Sequence, residues 1–346
     1  MLYKKNNYIK LISFCFTLTY LLFPGCKSDK NEPDVSGISV KIEAKRFERD
    51  LFAIDTNNTS IGIDKLKKEY GNFFDLFAFQ VTRLGSSDPD LMSSHFRDFL
   101  SDTNFRNIYN DCEMSFGDFN EKNLQLTKAF KNYSYYFPER IIPQIITLIS
   151  GFAFPVICDS TNLGISLDMY LGKNYYYYST LEPTLPNYLR NRMQSEYMVA
   201  DAMKGWAQSD YAIDESNAKM VDFMISQGRI LFFLDKILPQ TEDTIKSGYT
   251  ATQLEWCVAN EARIWSFFID NQLLFSIDPN LMNKYVNDGP TTNGFPKESP
   301  GNIGQFIGWQ IVKSYMKAHS AISLKELMEQ KDLMKIFNES NYKPKK

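Results

Sequence analysis

Along most of this chain apolar residues recur at helical spacing, and a single region departs from that rhythm. Leu66, Tyr70, Phe73, Phe74 and Phe77 would share one helix face within 63–84. Ser86-Ser87-Asp88-Pro89 breaks that run and reads as the cap of a helix through Phe99, and two more helical stretches follow at about 103–115 and 121–132. The departure begins at Pro143. Residues 144–152 (QIITLISGF) are dense in β-branched side chains and read as a strand. Residues 158–168 (CDSTNLGISLD) add a turn at Asn162-Leu163-Gly164 and a second strand that can pair with the first. Alternation over 38–45 suggests one more strand. After Pro183 and Pro186 helices are expected at about 187–207, 217–238, 251–276, 301–319 and 323–330. This is the pattern of an α+β fold, predominantly α-helical, with a small central sheet.

The first thirty-seven residues stand apart. Lys4, Lys5 and Lys10 precede an apolar stretch from Leu11 to Phe23, the layout of a secretory signal. The stretch is shorter than the ~20 residues of a membrane span. It ends in Phe23-Pro24-Gly25-Cys26, which resembles the lipobox of bacterial lipoproteins, although Pro24 stands where a small non-proline residue is usual. That resemblance makes Cys26 the acylated N-terminus of the mature chain; an ordinary signal peptide with an incidental cysteine is the bland alternative. Residues 1–25 would then be the signal peptide, 26–37 a polar tether without an apolar run to bury, and 38–346 a single globular domain. Asp29 and Glu32 after the cysteine are diluted by Lys27 and Lys30, which favours the periplasmic face of the membrane over the cell surface.

Composition narrows the partners. The net charge of −3 offers no basic surplus for phosphate neutralisation, so nucleic acid is not expected as a partner. Aromatics make up 15%, enough for a large packed core or a broad contact surface. Beyond Cys26, only Cys112, Cys158 and Cys257 remain, which allows one disulfide but no framework. The only histidines are His95 and His319, which argues against a Ser/His/Asp triad and against histidine-rich metal sites, and no cofactor or metal is expected. The Gly/Pro-rich segment 285–300 is a long loop of the kind that is often functional. In Ser299-Pro300-Gly301-Asn302-Ile303-Gly304, Ser299 could cap the next helix with Pro300 in its first turn; an anion site is conceivable there, but close helix packing by the glycines is the stronger reading. Trp256, Trp265 and Trp309, with Trp206 near a helix end, read mostly as core anchors.

Distributed motifs then carry a family resemblance. They are Arg46-Phe47-Glu48-Arg49 with Asp50-Leu51-Phe52, Tyr170-Leu171-Gly172, and Met224-Ile225-Ser226-Gln227-Gly228. Leu238-Pro239, Gly248-Tyr249-Thr250, Trp256 and Asn260-Glu261 follow. The last are Ser299 to Gly304, Gly308-Trp309-Gln310-Ile311-Val312 and Tyr342-Lys343-Pro344-Lys345. Together they resemble the GldB gliding motility lipoproteins of the Bacteroidetes over the whole mature chain. The resemblance implies a non-enzymatic, membrane-anchored envelope lipoprotein that binds motility or secretion proteins, and it transfers no catalytic residues.

A weaker resemblance points to zinc metallopeptidases that carry H-E-x-x-H on a helix. Residues at i and i+4 share a helix face, so two imidazoles can reach one metal while the glutamate activates water. Here Ser195-Glu196-Tyr197-Met198-Val199 falls on an expected helix, with Glu196 at the general-base position and Ser195 and Val199 at the ligand positions. Glu261 would match the third ligand. Valine offers no donor atom, so this is a vestigial site at most, on a degenerate zincin-like fold; the alternative function is a peptide-directed hydrolase with a lost or non-standard metal site. The plain reading of Glu196 and Glu261 is a pair of solvated helix carboxylates, or partners of Arg192 and Arg263.

Overall fold

Two helix starts in the first half are carboxylate caps. Asp88 accepts from the Asp90 and Leu91 N–H groups with Pro89 in the first turn, and Asp102 accepts from Asn104 and Phe105. Each side chain satisfies N–H groups that have no partner within their helix. The structure, a computed structural model, describes residues 32–344 apart from Glu182. The signal segment, Cys26 and most of the tether lie outside the described residues. Pro33–Lys346 forms one compact unit.

The first half contains α1 (Phe47–Phe52), α2 (Thr59–Tyr70), α3 (Asn72–Asp75), α4 (Pro89–Ser101), α5 (Thr103–Phe116) and α6 (Asn120–Tyr136). The helix expected over 63–84 is divided: α2 stops at Gly71, whose φ of 50° leaves the helical region, and a π-helical turn over Leu76–Val81 follows α3. The strands are β1 (Lys45–Arg46), β2 (Gln144–Leu148), β3 (Val156–Cys158) and β4 (Asn162–Ser166), in the order β1-β2-β4-β3. β1 and β4 run parallel to β2, with Ile146 opposite both Lys45 and Gly164, and β3 is antiparallel to β4. Ile145 through Leu148 are all buried, as a strand covered on both faces requires.

Two strand expectations are corrected. Of 38–45 only Lys45 joins the sheet. The backbone before it is claimed by α6: Ile42 N–H donates to Thr127 Oγ1 at 2.9 Å and Ala44 N–H to Asn123 Oδ1 at 3.1 Å. Side-chain acceptors there replace a strand neighbour. The turn lies at 159–161 rather than 162–164, because Asp159 accepts from the N–H groups of Thr161 and Asn162. Gly164 is instead inside β4, where a Cβ would come within 2.8 Å of the Ile157 and Phe73 side chains.

The Arg46–Phe52 motif builds the floor of this half. Phe47 meets Tyr70, Phe73 and Phe77 edge-on. Glu48 is fully buried and takes Arg46 Nε at 2.6 Å and Thr147 Oγ1 at 2.7 Å. Arg49 grips Glu113 with two nitrogens, at 2.9 and 2.8 Å.

The second half contains α7 (Asn187–Arg190), α8 (Met198–Asp210), α9 (Met220–Ile237), α10 (Asp243–Ser247), α11 (Ala251–Ala259) and α12 (Glu261–Asp270). α13 (Pro279–Tyr285), α14 (Ile303–Ala318), α15 (Leu324–Glu329) and α16 (Leu333–Glu339) complete it. Helices α9 and α14 form its spine and pack backbone to backbone. A Cβ on Gly228 would lie 2.3 Å from the Gly308 carbonyl, and one on Gly304 would lie 2.9 Å from Tyr285 O. Trp309 is buried and donates Nε1–H to Asp235, which also pairs with the buried Lys246 at 2.7 Å. Trp206 is buried as well, whereas Trp256 and Trp265 are only partly covered. Ser299 caps no helix: α14 starts at Ile303, and Ser299 Oγ accepts instead from Thr292 N–H. Close helix packing in this segment is made by Gly304, whereas Gly301, before α14, meets the loop: a Cβ there would fall 2.3 Å from the Gly289 carbonyl oxygen. Cys112, Cys158 and Cys257 are all free.

Candidate functional site

The helix expected over 187–207 breaks at 191–197, and this break decides where the anticipated residues go. Ser195, Glu196 and Tyr197 form a turn, and α8 begins only at Met198. The turn is tied down by Lys122, whose Nζ donates to Ser195 O at 2.7 Å. Glu196 is exposed and Val199 is buried in the first turn of α8. Ser195, Glu196 and Val199 line a cavity of about 480 Å³ between α6, this turn and the end of α9. The correction concerns geometry: Ser195 and Glu196 precede the helix that holds Val199, so the i, i+4 relation between Ser195 and Val199 of a zinc-binding helix is not built here. Glu261 does not line that cavity. It opens α12 and accepts from Tyr342 Oη–H at 2.7 Å. Arg192 pairs with neither glutamate. Among the described residues, no group of three or more His, Cys, Asp or Glu side chains is gathered closely enough to hold a metal ion.

The Glu261–Tyr342 bond joins two of the family-like segments and fastens the chain end to the α11–α12 hairpin, with Tyr342 also edge-on to Trp265. Burial and the neighbouring carboxylate hold the Tyr342 hydroxyl well above its ordinary pKa, so it stays a donor. Tyr342→Phe is expected to cost about 1.5 kcal/mol, typical of a hydrogen bond to a charged group. It should also speed amide exchange at the start of α12. Unchanged exchange there would show that this bond does not hold the hairpin.

A second and more elaborate site lies on the other side of the 191–197 turn. Its centre is Arg192, whose Nη2 meets Asp288 Oδ2 at 2.5 Å. Three motifs position that pair. Gly172 N–H donates to Met193 O and Leu171 bridges Gln194, which fixes the turn from the Tyr170-Leu171-Gly172 side. Gly248, left-handed at φ 75°, ends α10 and lets the Arg192 stem pass where a Cβ would sit 2.8 Å from its Cδ. Tyr249 Oη–H donates to Asn302 O, and Asn302 Nδ2 donates to Asp288 Oδ1 at 2.9 Å. Thr292 Oγ1 donates to Pro300 O at 2.6 Å and pins the long loop that carries Asp288.

From Arg192 a cleft of about 450 Å³ runs along α8, which faces it with Asp201, Lys204, Gly205 and Gln208. Tyr170 Oη–H donates to Asp201 Oδ2 at 3.1 Å. Burial pushes the Asp201 carboxyl up, against the charges of Lys204 and Arg192, and it pushes the Lys204 ammonium down, helped by Arg192. The opposite wall includes Phe152, held at φ 64° where a bulky residue is rare. Buried Asp168 holds it there by accepting from the Ser150 and Phe152 N–H groups at 3.1 and 2.7 Å. Its carboxyl is pushed up to about 6 by burial. Strained backbone that the surroundings enforce in this way clusters at functional positions.

Sequence reasoning missed Lys204 and Asp201, named Tyr170 only within a family motif, and mentioned Arg192 only as a candidate partner for the two glutamates. A signal was available. Positions 201, 204 and 208 follow i, i+3, i+7 on α8, with Gly205 beside them, and they form a polar stripe opposite the Met, Val, Ala and Trp residues of 198–207 that face the core. Asp288 lies in the long loop 285–300 that was singled out as a candidate.

The architecture is that of a helix-dominated α+β protein with a polar cleft between two loops and α8. The gliding motility protein GldB family matches residues 28–344, and the chain belongs to that family. No curated protein and no solved structure matches the chain.

Proposed function

We propose that this protein is a non-enzymatic envelope lipoprotein, anchored through lipid on Cys26 at the periplasmic face, that serves gliding motility by binding other motility or secretion proteins. Membership of the GldB family supports the setting. The observation that carries the interaction reading is the α11–α12 hairpin with the loop leaving it. Within α11 only Cys257 and within α12 only Ile264 and Phe268 are buried, and the loop after them buries Leu273 and Leu274, whereas Val258, Ile269, Phe275 and Ile277 are 48–66% exposed. Exposed apolar side chains gathered within one stretch of chain, here two successive helices and the loop after them, mark a contact surface. No helix among the described residues is long and apolar enough to cross a membrane.

The test is co-purification from a gently solubilised envelope with a C-terminal tag. The wild type should retain motility or secretion proteins in stoichiometric amounts. An Ile269→Asp/Ile277→Asp variant should lose them while folding stability changes by less than about 0.5 kcal/mol per exposed site. Recovery of the lipoprotein alone, or partners that survive the double substitution, would count against the reading.

A further inference from the structure

We propose that the aromatic cavity between the start of α5, the Gly151–Phe152 turn and residues 176–181 binds a proline-rich segment of a partner protein, with Tyr176 and Asn104 among its contacts. The argument starts from four consecutive tyrosines, Tyr175 to Tyr178, of which three have internal duties. Tyr175 Oη–H donates to Asp111 Oδ2 at 2.7 Å, and Tyr178 Oη–H donates to Asp168 O at 2.6 Å. Tyr177 Oη accepts from Asn107 Nδ2 and donates to Asn104 Oδ1, at 3.3 Å each. Tyr176 is different. Its hydroxyl has no hydrogen bond among the described residues, the residue is 69% exposed, and its ring stands edge-on to Tyr177 on the cavity wall.

The cavity measures about 610 Å³ and is walled by the rings of Phe105, Phe152, Tyr176 and Tyr177. Among the described residues no charged side chain lines it, so its complement is an uncharged ligand. The rings are braced: Phe105 lies 4.1 Å from Phe99 between centroids, Phe152 stands edge-on to Tyr178, and two asparagines of α5 hold Tyr177. A wall ordered before binding loses little freedom when a ligand arrives. Asn104 spends its carbonyl on Tyr177, which leaves its Nδ2 group to donate, and Tyr176 adds a hydroxyl. A polyproline II segment matches this set. It lays apolar rings against aromatic side chains, its carbonyls are free to accept because the helix has no internal hydrogen bonds, and proline brings no N–H for the wall to satisfy. A sugar also has apolar C–H faces, but its hydroxyls donate as well, and no carboxylate among the described residues lines the cavity to take them. The site is separate from the α11–α12 hairpin, and its test does not depend on that surface having a partner.

The test uses the full chain in detergent micelles and calorimetry with decaproline, a Gly/Ser peptide of the same length and tri-N-acetylchitotriose. Decaproline should bind at submillimolar concentration and the Gly/Ser peptide at least about tenfold more weakly, since it lacks both the rings and the preformed helix. Tyr176→Ala should weaken decaproline binding about tenfold, the scale of losing an aromatic anchor. Asn104→Asp keeps an oxygen for Tyr177 but replaces the amide donor with an acceptor, and should weaken it about fivefold or more. The unliganded melting temperature of each variant reports that it folds. No binding of decaproline at millimolar concentration, equal binding of the Gly/Ser peptide, or binding undiminished by Tyr176→Ala or by Asn104→Asp would overturn the proposal. Tighter binding of the trisaccharide than of decaproline would also overturn it, by assigning the cavity to a glycan.

Discussion

Gly308→Ala is expected to destabilise the protein by about 3 kcal/mol or more, the upper range for forcing extra atoms into a packed interior. The added Cβ would fall 1.7 Å from the carbonyl oxygen of Met224 and 2.3 Å from its carbonyl carbon. Both are backbone atoms of α9, so no side chain can swing away and α14 must shift bodily. The same substitution in an exposed helix interior should stabilise by about 1 kcal/mol, because alanine is the better helix former. The two expectations differ in sign, which makes urea denaturation decisive. A variant as stable as the wild type would mean that the α9–α14 contact is looser than its geometry.

Arg46→Met should cost about 3–5 kcal/mol at neutral pH, the usual result of removing one partner of a buried ion pair. Glu48 would keep its hydrogen bond from Thr147 but lose its counter-charge at 0% exposure. Burial already pushes the Glu48 carboxyl above its ordinary value, against the Arg46 charge and the hydrogen bonds from Thr147 and Arg46. The folded state therefore holds a proton on Glu48 more readily than the unfolded chain does. Its contribution to stability is fully present below the ordinary glutamate range and is lost as the pH rises through the raised folded value. In Arg46→Met that folded value rises further. The penalty against wild type should then shrink as the pH falls, once Glu48 is protonated and the buried charge is gone. Adding Glu48→Gln to the variant should recover part of the loss at neutral pH. A penalty that stays constant with pH would show that the arginine acts through packing, not charge.

Much of the fold could be read from local pattern, because helix caps and apolar periodicity are local properties. Asp88-Pro89 and Asp102 mark real helix starts, and the β-branched block at 144–148 is the central strand. Two of the errors share one cause. At 38–44 a neighbouring helix supplied the acceptors a strand would have given, and at 191–197 residues with helical spacing were held in a turn by Lys122 and by contacts to residues 171–172. Neither competitor is visible from within the segment. The same break removed the expected helical relation between Ser195 and Val199, and Glu261, on α12, is bonded to Tyr342 instead.

The sequence by itself determined the fold class, the capped helix starts at Asp88 and Asp102, and the family, since each rests on residues close together or on motifs readable one at a time. It also contained the polar stripe of α8. Only the tertiary structure decided what the motifs are for. It turned Gly228 and Gly308 into a backbone-to-backbone contact, and it brought Tyr170-Leu171-Gly172, Gly248-Tyr249-Thr250 and the Asp288 loop around Arg192. The physical reason is that charge pairing and close packing depend on distance in space, and segments a hundred residues apart in the chain meet there.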